Sequence, residues 1–150
     1  MSRPIRDLVR ALAFCEEKLP GATADAVEDV INDARDRAEM NLTGKVLNRR
    51  SGALLRTLRV DVSARNNKVT AQLQAGGRGV NYARIHEMGG TIEGKPWLVF
   101  QLPDGGWRKV RRVTIPRRPY LEPAIEAAMG DLGPQLREHL SPLLSFKALP

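Results

Sequence analysis

Cysteine and histidine are scarce in this sequence: Cys15 stands alone, and His86 and His139 are the only two histidines. One thiol excludes an internal disulfide and any metal site built from several cysteines. Two histidines this far apart cannot form the i, i+4 ligand pair that a helix offers to zinc. Aromatic residues make up only 5% of the chain, so the core is expected to rest on Leu, Val, Ile and Ala, with the few large rings at special places. No window approaches the ~18 continuous apolar residues of a membrane-spanning helix. The opening MSRPIRDLVRALAF carries charge inside its apolar stretch, so no secretory signal is expected, and synthesis in a reducing cytoplasm is the expectation.

What is present fits one domain over residues 1–150: a chain of 150 residues, 42% of them hydrophobic, can bury a modest single core. Its net charge of +7 is unevenly spread. Residues 1–48 hold 7 Lys/Arg against 9 Asp/Glu, residues 49–118 hold 15 against 4, and residues 119–150 hold 2 against 4, which gives −2, +11 and −2. The whole excess lies in the middle. Such a surplus suits a polyanion or an acidic protein face, and a basic, solvated sheet without a partner is the plainer alternative.

Along the chain, Ile5, Leu8, Val9, Leu12 and Cys15 recur at helical spacing, with Pro20-Gly21 as a stop. A second helix is expected after Ala22 or Thr23, with Ala26, Val27, Val30, Ile31, Ala34 and Ala38 on one face and its acids in the first turns. Cys15 falls on the apolar stripe and reads as a buried small hydrophobe. The period then changes. A Gly-started short helix or turn in RRSGALLRTLRV feeds a strand with Val60, Val62 and Ala64; RNNK makes a turn, and Val69, Ala71 and Leu73 alternate with polar residues. AGGRGVN reads as a flexible glycine loop. WLVFQL and WRKVRRVTI flank PDGG, a strong hairpin signal. The first arm could be buried on both faces, while Arg108, Lys109, Arg111 and Arg112 on the second must emerge from both faces unless a bulge intervenes. PRRPYLEP is a rigid connection, because its prolines lack backbone donors. Leu121, Ile125 and Met129 mark a further helix, broken near Gly130, Gly133 and Pro134 before a last segment with Leu136, Leu140, Leu143 and Leu144. The expected fold class is therefore α+β: a small antiparallel sheet of hairpins over residues 49–118, packed with helices from residues 1–48 and 119–150.

NYARIHEMGGTI invites a catalytic or metal reading of His86 and Glu87. Neighbours on a helix point about a quarter-turn or more apart and do not converge on one ion, and HEMGG lacks the second histidine of the zinc-protease pattern. No nucleophile motif, P-loop or paired-carboxylate pattern appears, and GGRGVN is no dinucleotide fingerprint. No catalytic residue, cofactor or metal site is expected. Tyr82 and His86, at i and i+4, share a helical face, and Ile85 and Met88 can face the core.

Three segments in this order carry a resemblance: SGALLRTL, YARIHEMGGTI and VTIPRRPYLEPAIEAAM. Together they resemble the tail-completion and head-tail joining proteins of long-tailed bacteriophages, including the phage virion morphogenesis family. Those proteins typically show a small residue-Gly-x-Leu segment, a Tyr-Ala-x-x-His/Gln-x-Phe-Gly segment and an Ile-Pro-Ala-Arg-Pro-Phe-Leu segment. The matching positions are Gly52 and Leu54; Tyr82, Ala83, His86 and Gly89; and Ile115, Pro116, Arg118, Pro119 and Leu121. Met88 stands where an aromatic is usual, Arg117 replaces a small residue, and Tyr120 replaces Phe.

The resemblance implies a structural virion protein of the neck or upper tail rather than an enzyme. It implies a homo-oligomeric ring, expected as a hexamer, in contact with head connector or adaptor and with tail-terminator or tail-tube proteins, with genome DNA passing through the opening. Arg108, Lys109, Arg111 and Arg112 are then the candidate contacts to DNA or an acidic partner. No membrane association is expected. The competing reading from charge alone is a nonspecific nucleic-acid-binding module, although no helix-turn-helix, zinc-finger or RNA-sheet aromatic pattern accompanies the basic residues.

Overall fold

The computed structural model describes residues 3–45, 52–66, 68–77, 82–102 and 104–145. Its elements run α1 (Arg3–Met40), β1 (Arg59–Arg65), β2 (Lys68–Gln74), α2 (Tyr82–Met88), β3 (Gly90–Gln101), β4 (Trp107–Ile115) and α3 (Glu122–Leu144). A 3-10 turn, Leu55–Thr57, precedes β1. The class is α+β, with helices at both ends of the strand region as the sequence predicts.

Alanine spacing explains the helical pair. Ala26, Val30, Ala34 and Ala38 on α1, and Leu42 just past its end, are buried at i, i+4 intervals, opposite buried Ala124 and Ala128 on α3. Side chains this small let two helix backbones approach closely, so packing of matched i, i+4 ridges replaces bulk. Ion pairs flank the seam: Arg37 to Asp131 at 2.9 Å and His139 to Asp29 at 2.7 Å. The helices are therefore antiparallel. The β1–β2 hairpin lies on α1, with Leu73 packed against the Val30, Ala34 and Ala128 cluster.

Two predicted breaks do not occur. Pro20 lies inside one continuous α1, and Pro134 and Pro142 lie inside one continuous α3. A proline deletes only the bond to the residue four before it and crowds the preceding backbone; Gly133, without a Cβ, relieves that crowding at Pro134. In α3 the apolar i, i+4 run Ala124, Ala128, Leu132, Leu136 and Leu140 passes straight through the proline, and tertiary packing outweighs the local cost. In α1 the Thr23 hydroxyl donates to the Leu19 carbonyl at 2.8 Å beside the proline. Towards its start α1 also meets the end of α3, where the Cys15 thiol donates to the Leu143 carbonyl at 3.2 Å.

Among the described residues the strands form two separate two-stranded sheets rather than one. β1 and β2 pair in unbroken register from Arg59 with Gln74 to Arg65 with Lys68. β3 and β4 pair from Gly90 with Ile115 to Gln101 with Trp107, with a bulge on β3 between Glu93 and Leu98. Among the described residues this second hairpin makes only sparse contacts with the other elements. Its first arm is not buried on both faces as the apolar run WLVFQL suggests: Val99 is 59% exposed and Phe100 36%. An apolar run reports what a segment avoids, not which neighbour covers it. Of the glycine loop AGGRGVN, Gly76 and Gly77 adopt positive φ, and residues 78–81 lie outside the described residues.

Candidate functional site

Short α2 ends at Gly89, whose φ is +69°. There the chain passes against the connection from β4 to α3, and the three motif-bearing segments meet. Ala83 from α2, Leu54 from the Gly52 turn, Leu42 from the end of α1 and Tyr120 form one buried cluster, with Leu121 packed against it. Gly52, itself buried with φ +67°, accepts from the Arg56 amide at 3.2 Å and so starts the turn that aims Leu54 inward. The Thr57 hydroxyl donates to the Leu54 carbonyl and accepts from the Gly76 amide at 2.8 Å, tying this turn to the end of β2.

Glu87 is the organising side chain. Its Oε2 accepts from the backbone amides of Tyr120 at 2.9 Å and Leu121 at 3.1 Å, and its Oε1 accepts from the Glu122 amide at 2.9 Å. These amides open α3, where donors have no intrahelical partner and negative charge is favoured. The Arg118 amide donates to the His86 carbonyl at 2.8 Å, the Arg117 Nε donates to the Glu87 carbonyl at 3.3 Å, and the Arg117 guanidinium pairs with Glu122. The Asn41 amide group donates to the Tyr120 carbonyl at 3.0 Å, which fastens the end of α1 to the same place. Arg117, the charged departure from the family pattern, is thus accommodated on the surface as a strap. Ile115 and Pro119 are half-buried and Pro116 and Arg118 exposed.

His86 and Glu87 are not arranged as an acid/base pair, because both carboxylate oxygens are occupied by backbone donors. Tyr82 and His86 do share a face: their rings meet edge-on at 5.9 Å between centroids. Met88, expected in the core, is 66% exposed, since α2 ends there and the following glycines turn the chain away. His86 Nδ1 is buried without a hydrogen-bond partner. Burial first, then the nearby Arg118 charge, hold its pKa below the ordinary 6.5. Burial, then Glu87 and Tyr82, push the Tyr120 phenol up to about 12. The folded state therefore resists protonation of His86 where the unfolded chain accepts it. Stability from this group is full above pH ~6.5 and is lost as pH falls through the lower folded value. Urea midpoints measured from pH 7.5 down to 5.5 are expected to fall more in the parent protein than in His86→Gln.

Above this junction stands the β3–β4 arm. The bulge places Gly94 where an added Cβ would lie 2.4 Å from the Leu98 amide nitrogen, and it turns the Trp97 ring onto β4. Lys109 Nζ lies 5.0 Å and Arg111 Cζ 4.9 Å from the Trp97 centroid, within cation–π range. Arg108, Lys109, Arg111 and Arg112 are all exposed. Strand alternation puts Lys109 and Arg111 on the Trp97 face and Arg108 and Arg112 on the other, so charge does emerge from both faces. Sequence reasoning singled out the four cations but missed Trp97, whose position depends on a bulge that periodicity cannot show. It also passed over Glu87 as a capping group; the signal present was an acid at the end of one segment and a proline-flanked helix start some way further along the chain.

Among the described residues no group of three or more His, Cys, Asp or Glu could hold a metal ion, and no helix is long and apolar enough to cross a membrane. Three sequence segments thus meet in one hydrogen-bonded junction that carries a solvent-exposed arm. The chain belongs to the phage virion morphogenesis family, whose profile matches residues 11–140. It is a phage virion structural protein by that membership. Neither the curated proteins nor the solved structures compared with it gave a match.

Proposed function

We propose that this protein forms a ring in the neck or upper tail of the particle, completing the tail or joining it to the head connector, with the genome passing through the opening. The observation that supports the reading is the arm: an exposed hairpin, about 30 Å long at ~3.3 Å per residue, held at its base by the hydrogen bonds of the junction. A heterologous contact made by such an arm and repeated about an axis closes into a ring. The expected copy number is six, and the expected neighbours are connector or adaptor proteins on one side and tail-terminator or tail-tube proteins on the other. Individual contacts need not be strong, because several engaged at once raise the effective concentration of the rest.

The basic residues suit a conduit, since phosphate contacts are independent of sequence and let DNA slide. Arg108 and Arg112, on the face away from Trp97, are the better placed of the four for this. Replacing Arg108, Lys109, Arg111 and Arg112 with Gln is expected to weaken DNA retention or partner docking and leave the fold intact. In a salt titration of DNA binding, the log–log slope should become shallower by about 0.9 for every phosphate that the variant no longer neutralises. Unchanged retention, docking and slope would remove these residues from the function. Mass measurement on the free protein and on assembled particles tests the ring itself; one copy in both would overturn it.

A further inference from the structure

Both tryptophans of the chain, Trp97 and Trp107, lie on the arm. The pairings of Gln101 with Trp107 and Val99 with Lys109 put Trp107, Val99 and Lys109 on one face, and Trp97 joins them under Lys109 and Arg111. Trp107 is 73% exposed, Val99 59% and Trp97 41%. A phosphate backbone asks only for cations. Three large apolar groups set among two cations are what protein interfaces concentrate, with Trp and Arg foremost.

A second uncovered stripe lies at the other end of the molecule. Towards its start, α1 continues the helical spacing of its core face through Val9, Leu12 and Leu19, beside the Cys15 thiol that reaches Leu143. They are 51%, 61% and 45% exposed. Glu16 falls between Leu12 and Leu19 on that stripe, exposed and, among the described residues, without an ion pair. Each face thus offers what the other needs: apolar surface for apolar surface, and a carboxylate for the Lys109 and Arg111 cations.

We infer that the Trp97–Trp107 face of the arm docks on the first turns of α1, along Val9, Leu12, Glu16 and Leu19, in a second copy of this chain. The inference rests on the ring reading and names its contact. The two faces differ, so the contact is head-to-tail, and one repeated contact covers both patches in every subunit. The cation–π stack holds Lys109 and Arg111 ready, which lowers the ordering cost of docking.

Because the only tryptophans sit on the docking face, intrinsic fluorescence reports on it directly. In the full-length protein, dilution followed by mass and fluorescence should show blue-shifted emission and reduced acrylamide quenching appearing in step with assembly. Trp107→Ser, an exposed substitution, and Glu16→Arg should each raise the concentration for half-assembly about thirtyfold, the scale of a hot-spot residue, with unchanged thermal unfolding of the subunit. Pairing Glu16→Arg with Lys109→Glu should recover most of that loss. Assembly with tryptophans as quenchable as in the dilute subunit would overturn the contact and leave the ring standing. So would a Trp107→Ser protein that assembles normally but no longer retains DNA, since the face would then belong to the genome. A single copy at every concentration and in particles removes the ring, and this contact with it.

Discussion

Gly89→Ala is expected to lower stability by about 3 kcal/mol or more, from two independent costs. The φ of +69° at Gly89 is one that an L side chain occupies at a penalty of ~1–2 kcal/mol. An added Cβ would also lie 2.8 Å from the Arg117 amide nitrogen and 3.2 Å from the Ile115 carbonyl oxygen. Both are backbone atoms with no rotamer to adopt, and forced repacking of this kind costs ~1–3 kcal/mol. For a chain of this size the sum corresponds to a fall in Tm of roughly 10 °C. Gly105→Ala is the control, because it shares a positive φ, +87°, yet an added Cβ meets nothing within 4 Å. If thermal melts show the two variants to be equally affected, the close approach at Gly89 contributes nothing.

Glu87→Ala is expected to cost about 3 kcal/mol, as three amides at the start of α3 lose their acceptor in a half-buried site. Glu87→Gln keeps one carbonyl acceptor and should recover about half of that. Chemical denaturation distinguishes this from a role in chemistry: the loss appears in the folding equilibrium, with α3 amides exchanging faster with solvent. A Glu87→Ala protein as stable as the parent would show that the cap is replaceable by water.

The sequence made the helical stripes, both hairpins and the PDGG turn legible, because each is written in local spacing and turn chemistry. Ala26, Val30, Ala34 and Ala38 announce their face without knowledge of the partner. What spacing could not show was continuity through Pro20 and Pro134. Whether a proline ends a helix depends on what the flanking stripe packs against, and that partner, α3 for α1, lies about a hundred residues away. The fate of WLVFQL was hidden for the same reason. At the motif junction, residues from three segments do come together: Leu54, Ala83 and Leu121 in one cluster and Gly89 under the Ile115–Arg117 backbone. Glu87, which holds the segments in place, reads from the sequence only as a neighbour of His86. A carboxylate that serves a helix start far along the chain leaves no periodic trace.

The bonds from the His86 carbonyl to Arg118 and from the Glu87 carboxylate to Tyr120 close a circuit: the chain leaves the body at Gly89, runs out along β3, returns along β4 and re-enters at the point it left. The arm is therefore a sealed excursion, and a change in its length at Asp104–Gly105 alters reach without altering where either end attaches. Loop closure grows costlier only slowly with length, by about 0.6 kcal/mol per doubling. Insertions at one tip can then lengthen the arm while the helical body keeps its sequence.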